Sequence, residues 1–286
     1  MDSAVRNIIT QALAEDWTDQ QGHIPPGDHT SMACIPTPTA GKAQLLCKDK
    51  GVIGGIELAA LIFKEVDAEI KFEQLLNDGS KIKNGDIAFT VSGEVKSILR
   101  AERVVLNFMH RMSGIATHTA LFVERVKGTK AKILDTRKTT PALRYFEKWA
   151  VRIGGGHNHR YGLFDRIMIK DNHIDFCGGI SEAIEAVKNY QKKNKLNLPV
   201  EIEARNLHDV NTILEVGEVD RIMFDNFTPD LMKQAVEMVN GKYETEASGG
   251  ITLETVRSFA ETSVDYISVG ALTHSSKSLD LSLKAF

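Results

Sequence analysis

Beyond Gly128 the chain alternates short apolar runs with segments of helical period, and this alternation narrows the possible folds more than any other feature. Strands are predicted over 132–135, 166–169, 200–203, 221–224, 243–247 and 266–269. Helices are predicted between or after them, over 141–150, 180–193, 207–216, 231–239 and 253–260. Ser181, Pro229 and Thr252 stand near first turns, where helices prefer such residues. Repeated βα units need parallel strands joined by right-handed crossovers, which leaves a doubly wound sheet or a barrel. A polar or glycine cluster closes every predicted strand: Asp135-Thr136-Arg137-Lys138, Lys170-Asp171-Asn172-His173, Glu203-Ala204-Arg205, Asp225-Asn226, Ser248-Gly249-Gly250 and Gly270-Ala271. In a parallel α/β protein all C-terminal strand ends lie on one face; a doubly wound sheet gathers only those at its switch point, whereas a barrel gathers them all. An incomplete (β/α) barrel of six to seven parallel strands is therefore expected, the seventh hidden near 149–153.

The first hundred residues read differently, as a small α+β sandwich domain. Val5, Ile8, Ile9, Ala12 and Leu13 recur at helical spacing behind an Asp2/Ser3 cap, and the irregular stretch 22–41 holds four of the seven prolines. Strands are expected over 42–48, 68–73 and 86–91, around a helix over 56–66. A stripe of Ile98, Ala101, Val105, Phe108, Met112, Ile115, Thr119, Phe122 and Val126 predicts one long helix or two abutting ones, with Gly114 marking a break. The domains are drawn as 1–103 and 104–286, with a C-terminal helix that packs back on the first.

Charge and composition exclude several functions. The 35 Lys and Arg against 38 Asp and Glu give a net charge of −3, so no global field draws nucleic acid. No apolar run approaches the ~18 residues that span a bilayer, so no membrane partner is expected. Cys34, Cys47 and Cys177 form no CxxC pair, which suits reduced thiols in a cytoplasm and no structural zinc.

The strand ends carry the chemistry. Arg137, Lys138, His159, Arg160 and Lys170 concentrate positive charge on a protein of negative net charge, Arg103 on the long helix adds another, and the substrate is expected to be a polyanion. Glu203 and Asp225 at neighbouring strand ends suit Mg²⁺, held directly or through water, or a developing cation. Ser248-Gly249-Gly250 and Gly270-Ala271 offer backbone N–H groups where barrels bind phosphate. Lys170 also suits a Schiff base, as in barrel aldolases, and that alternative stays open. His157-x-His159 lacks a further ligand at metal spacing, and Gly154-Gly155-Gly156 is not a dinucleotide fingerprint.

At these positions the sequence resembles the quinolinate phosphoribosyltransferase family, the carboxylating nicotinate-nucleotide pyrophosphorylases. The resemblance runs in order through Gly27-Asp28-His29-Thr30-Ser31, Ala101-Glu102-Arg103, Leu106-Asn107, Ser113-Gly114-Ile115-Ala116-Thr117, Asp135 to Thr139, Asn158-His159-Arg160, Ile169 to His173, Asp225-Asn226-Phe227, Ser248-Gly249-Gly250 and Val269 to His274. One departure is the stretch 17–26, longer than the family's usual tight turn. The resemblance implies an N-terminal α/β sandwich, an incomplete barrel, a cytoplasmic homodimer and Mg²⁺. It implies that quinolinate and phosphoribosyl pyrophosphate become nicotinate mononucleotide, pyrophosphate and CO₂. By matching position, Arg137, His159, Arg160 and Lys170, with Arg103 of the partner subunit, would hold the two ring carboxylates. Lys138 and Lys170 would face the donor, Glu203 and Asp225 the ribose and Mg²⁺, and Ser248, Gly249, Gly270 and His274 the 5′-phosphate. Lys138, Lys170, Glu203 and Asp225 are the expected catalytic set. A relative associated with molybdenum transport shares much of this pattern, and a non-catalytic sensor of phosphoribosyl ligands is a further alternative.

Overall fold

The computed structural model describes residues 3–19 and 21–286, so the Asp2 cap lies outside the described residues. In chain order the elements are α1 (Ser3–Trp17), α2 (His29–Cys34), β1 (Ala40–Cys47), β2 (Gly51–Val52), α3 (Ile56–Val66), β3 (Lys71–Gln74), β4 (Lys81–Ile82), β5 (Ile87–Glu94) and α4 (Val95–Arg125). They continue with β6 (Lys132–Leu134), α5 (Arg144–Ile153), β7 (Ile167–Ile169), α6 (Asp171–Cys177), α7 (Ile180–Asn194), β8 (Val200–Ala204), α8 (Leu207–Val216) and β9 (Arg221–Asp225). The last are α9 (Pro229–Val239), β10 (Glu244–Ser248), α10 (Val256–Ala260), β11 (Tyr266–Ser268), α11 (Ala271–His274) and β12 (Leu281–Ala285). The chain forms two compact units, one of Met1–His118, Thr140–Gly155 and Ser276–Phe286, the other of Thr119–Thr139 and Gly156–Ser275.

The first unit is built on a four-stranded antiparallel sheet in the order β12-β1-β5-β3. Its core is aromatic: the Phe72 and Phe89 rings lie 4.5 Å apart, and Phe63 of α3 stands 6.1 Å from each. The expected C-terminal helix is instead the edge strand β12, paired antiparallel with β1. Leu281 and Leu283 alternate with Ser282 and Lys284, which is strand period, and the two leucines are buried. The 103/104 boundary falls inside α4, which runs unbroken, because α5 and β12 return to the first unit after the chain has left it.

Gly114 marks no break in that helix. A Cβ there would stand 2.1 Å from the carbonyl oxygen of Lys277, so the glycine admits a close backbone approach.

The second unit holds six parallel strands in the order β6-β11-β10-β9-β8-β7. The seventh strand expected near 149–153 is part of α5, whose buried Phe146, Ala150 and Val151 fall at helical rather than strand spacing. The two edge strands β6 and β7 are not paired with each other, yet the loops after both line one cavity. The sheet is thus curled but not closed. Central strands such as β8, with every residue buried, show the double coverage typical of parallel sheets.

Helix propensity alone says that Gly114→Ala should stabilise α4 by about 1 kcal/mol. The Lys277 carbonyl reverses the sign: the variant is expected to lose about 2–3 kcal/mol by overpacking against backbone. Chemical denaturation checks this, and a variant more stable than the parent would refute the close approach.

Candidate active site

A cavity of about 700 Å³ opens at the C-terminal ends of the six strands, within the size range of small-molecule sites. Strand order sets the order of chemistry around it: Lys170 after β7, Glu203 on β8, Asp225 on β9, Ser248 ending β10 with Gly249 and Gly250 after it, Gly270 after β11, and Arg137 and Lys138 after β6.

The glycine corner is sterically defined. Gly249 has φ +101°, and a Cβ on it would stand 2.1 Å from Asn226 Oδ1, so backbone comes to the cavity where no side chain fits. Asn226, itself left-handed at φ 58°, donates its backbone N–H to the Ser248 carbonyl at 2.9 Å and ties the ends of β9 and β10 together. A Cβ on Gly270 would meet Lys138 Cδ at 3.0 Å and His274 Nε2 at 3.2 Å, which places both side chains beside this corner. Thr273 Oγ1 donates to the Lys138 carbonyl at 2.8 Å and fixes the loop that carries Arg137 and Lys138.

Like charges crowd the rest of the cavity. Burial and then the neighbouring Arg137 charge lower the pKa of Arg160, so two guanidinium groups face one space. An anion entering there would relieve their repulsion. Burial and then the Glu203 charge raise the pKa of Asp225, the same crowding with opposite sign. Glu203 accepts from Lys170 Nζ and, at 3.1 Å, from the Asp171 backbone N–H. The Lys170 amine is therefore engaged by a carboxylate, a poor setting for a Schiff base, whose nitrogen must be free to attack a carbonyl.

Beneath the mouth lies a group that the sequence reading missed. Side chains on alternate strand positions share a face, so Glu201 lies on the same face as Glu203, Arg221 as Asp225, and Glu246 as Ser248. Arg221 donates to Glu246 at 2.7 Å and to Glu244 at 2.8 Å. His159 Nε2 lies 3.2 Å from Glu201 and 3.4 Å from Glu246. Burial alone would lower the His159 pKa, but the two carboxylates outweigh it and push it up to about 9. Its Nδ1, however, accepts the Arg160 backbone N–H at 2.6 Å, the geometry of a neutral ring with its proton on Nε2. A second proton on the ring would therefore displace Arg160. Burial and the Glu246 charge raise the pKa of Glu201; burial also acts to raise that of Glu246, but His159 and Arg221 bring it down.

His159, Glu201 and Glu246 have the spacing of a metal triad. The Arg221 guanidinium already supplies the positive charge, which argues against a divalent ion there. The signal that could have found these residues is charge inside strands otherwise built of apolar residues, as in Val200-Glu201-Ile202-Glu203-Ala204.

Of the expected site residues, Arg137, Lys138, His159, Arg160, Lys170, Glu203, Asp225, Ser248, Gly249, Gly270 and His274 all line the cavity. Arg103 is not among them and stands exposed on α4.

Two family models match the chain: "Quinolinate phosphoribosyl transferase, N-terminal domain" over residues 28–113 and "Quinolinate phosphoribosyl transferase, C-terminal domain" over 115–284. A quinolinate phosphoribosyltransferase [decarboxylating] of Nicotiana tabacum is 47% identical over 98% of this chain and 82% of its own length. A probable nicotinate-nucleotide pyrophosphorylase [carboxylating] of Bacillus subtilis is 42% identical over 90% of this chain and 87% of its own. The crystal structure of NadC from Streptococcus pyogenes superposes with a TM-score of 0.90 at 38% identity, covering 99% of this chain and 97% of that one. Sequence order, fold and both domain models thus agree, and the chain belongs to the quinolinate phosphoribosyltransferase family.

Proposed function

We propose that the protein transfers the phosphoribosyl group of phosphoribosyl pyrophosphate to quinolinate with loss of CO₂, giving nicotinate mononucleotide and pyrophosphate for NAD biosynthesis. The observation that carries this is a single cavity in which Glu203 and Asp225 stand, in strand order, between the Lys170 strand end and the Ser248–Gly250 corner, with Arg137 and Arg160 lining the same space. Quinolinate is a dianion, and the crowded guanidinium groups suit its carboxylates. The glycine corner, with Lys138 and His274 beside it, suits the 5′-phosphate.

The charges give the order of events. The C1–O bond of the ribose breaks as pyrophosphate takes the electron pair, and positive charge develops at C1 near Glu203 and Asp225. The pyridine nitrogen donates its lone pair to C1 and becomes cationic. The carboxylate on the adjacent carbon then leaves as CO₂, its electron pair staying on the ring as an ylide beside the cationic nitrogen until a proton arrives. The protein binds, orients and stabilises charge, and forms no covalent bond to substrate.

Magnesium fits the carboxylate pair chemically. Asp225 and Glu203 are hard oxygen donors whose mutual repulsion a divalent cation would relieve, and both Glu203 oxygens are engaged, so Glu203 would reach the ion through water. When bound, the ion supplies positive charge against the pyrophosphate oxygens.

A homodimer with shared sites fits the exposed position of Arg103 on α4, outside the lining of its own chain's cavity, and the partner-site role that the resemblance implies for it. Leu163, Phe164 and Phe176 leave 70%, 71% and 92% of their surface exposed and are available to a partner subunit. Cys34, Cys47 and Cys177 are all free, which suits a reducing compartment such as the cytoplasm. No helix of the described residues is long and apolar enough to cross a membrane.

Mass spectrometry of protein mixed with quinolinate, donor and Mg²⁺ should show nicotinate mononucleotide; none would refute the assignment. Nicotinate, lacking one carboxylate, should be poor by at least about tenfold in kcat/KM, since a charge-assisted hydrogen bond is worth ~1.5–3 kcal/mol. Equal use of both acids would sink the role given to Arg137 and Arg160. Asp225→Ala should depress kcat and spare quinolinate affinity, whereas Arg160→Ala should weaken quinolinate binding by roughly tenfold or more. Calorimetry on the two variants checks this, and equal losses would refute the division of labour. Arg103→Ala and Lys170→Ala chains, each nearly inactive, should on co-refolding regain about a quarter of wild-type activity, because half the molecules become heterodimers with one intact site. Heterodimers seen by native mass spectrometry without that rescue would exclude a shared site.

A further inference from the structure

The charged group inside the barrel is not explained by folding alone. Glu201, Glu246 and Arg221 are buried, and buried ion pairs are commonly replaceable by apolar side chains at no loss of stability. The Glu246 carboxylate is not saturated by the fold either. Its Oε1 is buried without a hydrogen-bond partner among the described residues, and the Ser268 hydroxyl donates to the Ala247 carbonyl at 3.3 Å. What Glu246 and Glu201 do hold is His159.

His159 sits in the middle of a turn suspended from carboxylates on three strand segments. Buried Asp135, after β6, accepts the His159 backbone N–H at 2.9 Å and a hydrogen bond from Asn158 Nδ2. Glu201 of β8 and Glu246 of β10 take the ring at Nε2. The ring then passes the constraint on, because Nδ1 accepts the Arg160 backbone N–H at 2.6 Å. Arg160 is tied once more, through its guanidinium at 3.3 Å from the Arg166 carbonyl, while Arg166 reaches Glu201 at 3.4 Å. The two glutamates thus bear on Arg160 by two routes, the His159 ring and Arg166. Both ring nitrogens of His159 are engaged inside the protein, although the residue lines the cavity.

We propose that Glu246 and Glu201 are positioning residues for substrate selection: they hold the His159 ring against the barrel interior and so fix the backbone from which the Arg160 guanidinium reaches the substrate's carboxylate. The proposal rests on the assignment of quinolinate to this cavity. Neither glutamate need touch substrate. Arg221 Nη1 donates at 2.7 Å to the same Glu246 oxygen, Oε2, that His159 Nε2 approaches at 3.4 Å, and its charge helps to keep that carboxylate ionised.

Glu246→Gln and, independently, Glu201→Gln keep the side-chain shape and remove the charge. Each should raise the quinolinate Kd and KM by roughly tenfold, the scale of one weakened charged hydrogen bond, and leave kcat and phosphoribosyl pyrophosphate affinity within about twofold. In an Arg160→Ala background the same substitutions should change quinolinate affinity less than about twofold, because the path they act through is gone. A full-sized effect in that background, or parallel losses of donor affinity and kcat in both variants, would overturn the proposal. A readout free of substrate separates it from the functional assignment. In the ligand-free protein, Glu246→Gln should shift the ¹⁵N resonances of the His159 ring and the Arg160 amide, whichever acid the enzyme uses. An unmoved Arg160 amide refutes the positioning link; a moved amide with no quinolinate turnover by the wild type refutes the substrate instead.

Discussion

Charge enclosed by the parallel sheet is the constraint on which the rest of the second unit depends. Glu201, Arg221 and Glu246 have lost nearly all contact with water, and an isolated ion in that position would cost several kcal/mol. Neutralisation therefore has to come from neighbouring strands, and the register supplies it: Glu201 stands opposite Arg221, and Arg221 opposite Glu244. A slip of one residue in β9 would turn the guanidinium towards the helices and leave carboxylates uncompensated. The same register sets Glu203, Asp225 and Ser248 at the strand ends, so the order that makes the interior tolerable also builds the mouth.

The interior and the mouth use charge in opposite ways. Inside, each carboxylate faces a cation, and the His159 ring is locked between partners. At the mouth, Arg137 crowds Arg160 and Glu203 crowds Asp225. Such repulsion is tolerable near solvent and is relieved by ligands of matching charge, which is how a site holds binding energy in reserve before substrate arrives. Lys170 bridges the two regimes, since its ammonium is paired with Glu203 and still lines the cavity.

Glycine performs one task in both units, letting backbone approach where a methyl group cannot stand. At Gly114 the approaching atom is the Lys277 carbonyl, at Gly249 it is the Asn226 side chain, and each would be about 2.1 Å from a Cβ. The first serves packing and the second opens backbone to a ligand. Sequence position told them apart, one inside a helical stripe and one at a strand end, but not which atom each admits.

Local pattern determined a great deal. Short apolar runs located the six parallel strands, and period-3.6 spacing the helices α4, α5, α7, α8, α9 and α10, because a strand or helix declares itself by which residues it must bury. The polar strand ends declared the cavity, since parallel βα units place all those ends on one face. Local pattern failed where a residue's partner was distant in sequence. The tail read as a helix became β12 because β1 offered an open edge, and the segment read as a seventh strand became α5 because its apolar face matched a helix. A single boundary in the chain does not describe the two compact units, because α5 and β12 rejoin a unit the chain had already left. Glu201, Glu246 and Arg221 went unremarked for a related reason: charge inside an apolar strand marks a buried group, but its counter-charge lies on another strand. The residue types and their strand positions were sequence properties; which charge neutralises which was decided only by register and by the curl of the sheet, since Coulomb interaction depends on distance in space and not along the chain.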